Sequence, residues 1–142
     1  MPPQSIVSAL ETAALSNVDV RIIIPEKSDA ITPKWCSFSY VEKLLDASVK
    51  VYFYQQGFMH SKFMIVDDVF STIGTTNLDF RSLETNFEVN AFIYDEVFTG
   101  SLKTIFLTDL KNCREIKLNE WKLRPWHFKV RESLAHIVSP MF

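Results

Sequence analysis

The strongest constraint on the fold is an alternation of short β-rich runs with helical stretches. Asp19-Val20-Arg21-Ile22-Ile23-Ile24 reads as a strand stopped by Pro25, and Val49-Lys50-Val51-Tyr52-Phe53-Tyr54 as a second, broken before Gly57. Between them Thr32-Pro33 supplies a hydroxyl for a helix cap and a proline for the first turn. Trp35, Phe38, Val41, Leu44 and Leu45 follow on one stripe, which predicts a helix over 33–47. A strand, one helix and a strand form a crossover unit, so the expected class is α/β, a mixed β-sheet flanked by helices.

The flanking segments extend this pattern. Residues 4–15 place Ile6, Leu10, Ala13 and Ala14 at helical spacing. His60–Val66 and Phe70–Ile73 read as extended runs joined by an Asp67-Asp68 turn, and 86–94 as another strand. Asp95 is positioned to cap a long helix marked by Phe98, Leu102, Ile105, Phe106 and Leu110. A last helix is expected from Pro125, with Val130, Leu134, Ile137 and Val138 on one face. With 142 residues, 47% apolar and 23% charged, the chain reads as one globular domain over 1–142, ending in a basic helical tail at about 117–142. Residues 111–142 hold seven basic and three acidic side chains, against eight and fourteen in the first 110. A polyanion usually needs a basic face, so the acidic body argues against nucleic acid.

Other classes fall away on composition. Three glycines (Gly57, Gly74, Gly100) cannot write a dinucleotide or P-loop signature. Two cysteines, Cys36 and Cys113, make neither a disulfide scaffold nor a zinc module. Runs such as Phe63–Val66 and Ala91–Tyr94 are far short of the roughly 20 apolar residues that span a bilayer. Residues 1–5 have neither a basic nor an apolar region, so no secretory signal is expected there.

Alternation along strands then groups the polar residues. His60 and Lys62 are expected on one strand face, and Asn86, Glu88 and Asn90 on one face of another. The opposite face of the latter, Phe87, Val89, Ala91 and Ile93, is expected to be core. An imidazole beside an ammonium suits phosphate chemistry: histidine attacks phosphorus or moves a proton, and lysine neutralises non-bridging oxygens. Gly74-Thr75-Thr76-Asn77 adds a hydroxyl and an amide able to donate to phosphate. A carboxylate facing the histidine, for which Glu88 is the candidate, holds one ring proton and frees the other nitrogen.

These residues carry a resemblance. His60-x-Lys62-x4-Asp67-x6-Gly74-Thr75-x-Asn77 matches the HKD motif, HxKx4Dx6GSxN, of the phospholipase D superfamily, with threonine in place of serine. Five fixed residue types coincide by chance in roughly one chain of this size in 10⁴–10⁵. Gly74–Leu83 followed by Asn86-Phe87-Glu88 is similar to the stretch after the second HKD motif of bacterial cardiolipin synthases, and Val18–Pro25 and Ser139-Pro140-Met141-Phe142 extend the likeness. Such synthases carry two HKD motifs and N-terminal membrane segments; with its one motif, this chain resembles their C-terminal catalytic half.

The resemblance implies that two motifs meet across a pseudo-twofold axis. One histidine forms a phosphatidyl-histidine, and the other protonates the leaving alcohol and deprotonates the incoming one. It implies no metal or other cofactor. Phosphatidylglycerol or another anionic phospholipid would be donor and acceptor. Partners would be a second HKD half and a membrane surface, with no nucleic acid. The bacterial membrane would be reached through parts outside this sequence, this domain being soluble on the cytoplasmic side. By position His60 corresponds to the second-motif histidine, more often general acid/base than nucleophile. Lys62, Thr75 and Asn77 would bind phosphate, Glu88 would orient His60, and Asp67 would brace its turn by hydrogen bonds. His127 and His136 match nothing in the motif and read as ordinary helix residues. The basic tail, with Trp121, Trp126 and Phe128 interleaved, reads as a solvated helix face or a contact with anionic lipid. Two alternatives stay open: a single-motif phosphodiesterase or nuclease acting as a homodimer, and a non-catalytic pairing module.

Overall fold

A computed structural model describes residues 2–27 and 31–138, with side chains for all of these except 31–34, 129 and 134–138. The elements in order are α1 (Gln4–Leu15), β1 (Arg21–Pro25), α2 (Ile31–Phe38), α3 (Val41–Asp46), β2 (Lys50–Tyr54), β3 (Phe63–Val66), β4 (Phe70–Gly74), α4 (Phe80–Glu84), β5 (Asn90–Tyr94), α5 (Glu96–Leu110), β6 (Cys113–Ile116), α6 (Leu118–Lys122) and α7 (Trp126–Val138). The class is α/β as expected, and the strands divide into two three-stranded sheets. The first sheet is mixed, β1 running parallel to β2 across the helical crossover and β6 antiparallel on the other side of β2. The second is an antiparallel meander, β3-β4-β5.

The stripe read as one helix over 33–47 is two helices, interrupted at Ser39 and Tyr40. The Ser39 hydroxyl donates to the Cys36 carbonyl (2.7 Å), diverting an oxygen the next helical turn would have used. The break lets Phe38, Tyr40, Val41 and Leu44 all turn inward. They join Val7 of α1, Val49, Val51, Phe53, Ile116 and Trp121 in a core centred on β2. Phe38 and Phe53 stack at 4.7 Å and Trp121 meets both edge-on, contacts worth about 0.5–1.5 kcal/mol each beyond area burial. Helix α2 already includes Ile31 and Thr32, so Thr32 lies inside the helix and is not its N-cap.

Helix α5 packs against strands of both sheets. Its start is fixed as expected: the Asp95 carboxylate accepts from the Phe98 N–H (2.7 Å). On the β3-β4-β5 sheet it covers the face carrying Phe63, Ser71 and Ile93. There the Thr99 hydroxyl donates to the buried Ser71 oxygen (3.1 Å), and Phe106 meets Phe63 edge-on. The other face is open. Met64, Val66, Phe92 (67% exposed) and Tyr94 (79% exposed) all lie uncovered on it.

The tail is more structural than the charge pattern predicts. Two elements unread in the sequence, β6 and α6, join the body, and α7 begins at Trp126. Trp121 is buried and Phe128 packs on Trp35 (5.7 Å), which leaves Trp126 as the exposed aromatic of the three. Arg124 lies flat on Trp121 and pairs through two nitrogens with the buried Glu132 (2.6 and 3.1 Å), clamping α7. Val130 is exposed. The side chains of Leu134, His136, Ile137 and Val138, and all of residues 139–142, lie outside the described residues.

Candidate active site

The antiparallel order of β3, β4 and β5 brings three chain segments to one end of that sheet. The end of β4 lies beside the start of β5, Gly74 opposite Asn90, and the Gly74 N–H donates to the Lys62 carbonyl (3.1 Å) just before β3 begins. Lys62, Gly74 and Asn90 thus stand abreast. Gly74 is required by this closeness: a Cβ there would overlap the Asn90 amide oxygen and the Val89 carbonyl.

His60 and Lys62 do not share a strand face, because β3 starts only at Phe63. They sit instead on an irregular lead-in after Gly57, whose φ of +110° only glycine adopts without strain. The Lys62 ammonium bends back to the His60 carbonyl (2.9 Å). The His60 imidazole is exposed and stacks on Phe58, ring centroids 5.4 Å apart and planes 26° from parallel.

Glu88 also lies outside a strand, since β5 starts at Asn90. Residues 86–89 wrap the Thr75 turn instead. Thr75 N–H donates to the Val89 carbonyl (3.0 Å), Val89 N–H donates to the Thr75 hydroxyl (3.0 Å), and that hydroxyl donates to the Glu88 carboxylate. The Thr75 bond, then one from Ser82, holds the Glu88 carboxyl below the usual carboxylate range against slight desolvation, and the Lys62 charge adds to it. No hydrogen bond joins Glu88 to His60 among the described residues. The strand expectation fails further along: Phe87 is fully exposed and Val89 76% exposed, while Ala91 is exposed and Ile93 half-buried on the α5 side. The parity of Glu88 is the one that carries Phe92 and Tyr94 onto the open face.

Asn77 donates to the buried Ser82 hydroxyl (3.4 Å), and Ser82 N–H is capped by Asp79 (2.8 Å) at the start of α4. Ser82 and Asn90, whose amide oxygen accepts from Thr76 N–H (3.4 Å), are supports without an assigned role in the sequence reading. Asp79, a favoured N-cap residue whose carboxylate reaches the N–H three positions on, was the available signal for the first. Asp67 is not at this end. It lies at the hairpin turn, roughly 15 Å away at the rise of a β-strand. Asp67 and Asp68 both take positive φ (50° and 60°) there. Among the described residues Asp67 makes no side-chain hydrogen bond, and Asp68 ties the turn to α5 through Lys103 (2.7 Å). No cluster of three or more His, Cys, Asp or Glu suited to a metal occurs among the described residues, and no helix there is long and apolar enough to cross a membrane.

This end of the sheet therefore carries the Lys62 ammonium near the Thr75–Glu88 pair, with Asn77 just beyond β4 and the His60 ring turned onto Phe58 two residues before Lys62. Residues 1–110 match the family described as cardiolipin synthase, PLD-like domain. The chain belongs to that family. It is 43% identical over 141 residues to a cardiolipin synthase of Halalkalibacterium halodurans, 44% to cardiolipin synthase 1 of Staphylococcus epidermidis and 41% to the major cardiolipin synthase ClsA of Bacillus subtilis. Each alignment covers 99% of this chain but 28–29% of the relative, so the chain spans a little over a quarter of their length. In structure it is similar to Nuc of Salmonella typhimurium, a phospholipase D family member, with a TM-score of 0.71 at 20% identity, covering 82% of this chain and 76% of that one. The cardiolipin synthase-like domain thus has a phospholipase D fold.

Proposed function

We propose that this chain supplies one HKD motif, the second, of a phosphatidyltransferase that makes cardiolipin and glycerol from two phosphatidylglycerol molecules. The reading rests on the family, on Lys62 lying near the Thr75–Glu88 pair at one sheet end, and on the spacing that puts His60 and Asn77 next to these in the chain. Lys62 supplies fixed positive charge to the phosphate and Asn77 a donor, while the Thr75 hydroxyl holds the Glu88 carboxylate by a hydrogen bond. Glu88 is then the carboxylate available to take the second N–H of the His60 imidazole once the site is complete.

The reaction needs two histidines. One attacks phosphorus as the P–O bond to the glycerol headgroup breaks, and the other gives that oxygen its proton. The second histidine then takes the proton of the incoming phosphatidylglycerol hydroxyl, which attacks phosphorus and releases the first. Splitting the substitution into two in-line steps lowers each barrier. His60 supplies one of the pair, so a second HKD half completes the site. The uncovered face of the β3-β4-β5 sheet, apolar along Met64, Phe92 and Tyr94, supports such pairing.

The test is headgroup exchange on phosphatidylglycerol vesicles, with the chain sized in solution and assayed alone and with a complementary half. Exchange only from a paired species, abolished by His60→Ala, is expected. Robust exchange from a strict monomer, or full activity in His60→Ala, would overturn the reading. Hydrolysis of DNA without lipid exchange would replace it with the nuclease alternative.

A further inference from the structure

We propose that Phe58 is a positioning residue for the His60 imidazole, a role that rests on His60 acting at phosphorus as argued above. His60 is the only member of the cluster whose side chain has no hydrogen bond among the described residues; its partner is the Phe58 ring, 5.4 Å away and near-parallel. Phe58 is itself 51% exposed and stands outside the hydrophobic core, so its burial gains little and core packing does not account for its place. The backbone on either side has a shape of its own. Gly57 turns the chain at φ +110°, and Lys62 holds the His60 carbonyl. The imidazole's own freedom is rotation about its side-chain bonds, and a flat ring lying against it restricts that rotation. A histidine that must line up with a P–O bond loses rate steeply when misplaced by an ångström. Ordering it before substrate arrives raises turnover without adding a contact to the lipid.

Two measurements test this. In proton NMR of the 142-residue chain, which has only three histidines, the His60 ring protons should be shifted upfield by the Phe58 ring current. That shift should be lost in Phe58→Leu and kept in Phe58→Tyr. His127, packed on Phe128 (4.6 Å), should not move and serves as the reference. In phosphatidylglycerol exchange by this chain paired with a complementary half, Phe58→Leu should lower kcat about tenfold with KM unchanged, and Phe58→Tyr should restore it. Unshifted His60 protons in the parent chain would overturn the proposal. So would a raised KM at unchanged kcat, which would make Phe58 a lipid contact. Full activity in Phe58→Leu beside an inactive His60→Ala overturns this role alone. Full activity in His60→Ala overturns the phosphatidyl-transfer reading and this role with it.

Discussion

Gly74 shows how much of the site depends on a missing atom. It lies where β4 passes closest to β5, and any Cβ would meet the Val89 carbonyl and the Asn90 side chain. Gly74→Ala should therefore cost about 2–3 kcal/mol of stability, the upper part of the range of about 1–3 kcal/mol for overpacking. Circular dichroism melts should show that as a fall in Tm of roughly 5–10 °C. An unchanged Tm would mean that residues 86–90 do not wrap the Thr75 turn as described. At this scale the sequence exposed the residue types and their spacing but not their partners. Threonine at position 75 is legible as a hydroxyl facing phosphate. That its proton goes to Glu88 and its lone pair to Val89 N–H follows from the β4–β5 register, which brings residues thirteen and fourteen positions apart together.

Among the elements, α5 was the most legible because its start is a local matter: one carboxylate, one N–H and an apolar stripe. Asp95→Ala removes that cap and should destabilise the protein by about 1 kcal/mol in urea unfolding, with Asp95→Asn recovering most of it. No difference between Ala and Asn would show that the cap contributes nothing. Strand limits were less legible. Alternation through 86–94 and an extended run through 60–66 predict longer strands, yet the paired register begins only at Asn90 and Phe63, with single backbone bonds at Val89 and Lys62 before the chain turns away. The split of the 33–47 helix was hidden for a related reason. The stripe continues through Ser39, and the break registers only in the hydroxyl's bond to Cys36.

Across the whole molecule, the crossover that joins β1 to β2 is pinned at its open end by charge. Asp19 accepts from Arg21, two residues on, and from Lys50 on the neighbouring strand (2.7 Å), and these bonds draw its carboxyl from the ordinary 3.8 to about 2. A lowered native value stabilises the folded state above the unfolded pKa and loses that contribution as pH falls through the folded one. Stability should thus decline between about pH 4 and pH 2, and Asp19→Asn should flatten that part of the profile. The carboxylate is half exposed and water screens it, so the effect is about 0.5 kcal/mol, readable as the difference between parent and variant urea midpoints at pH 5 and pH 2.5. An identical pH profile for both proteins would contradict it. By itself the sequence determined the α/β class, the crossover, the cap of α5 and the identity of the clustered polar residues, since propensity, periodicity and spacing are written locally. Only the tertiary structure decided that Asp67 makes no side-chain bond in its turn among the described residues, that Thr75 rather than His60 holds Glu88, and that Phe87 and Val89 face outward. Those outcomes depend on which distant segments meet, and an apolar side chain's pattern is the same whether its covering surface belongs to this chain or lies beyond it.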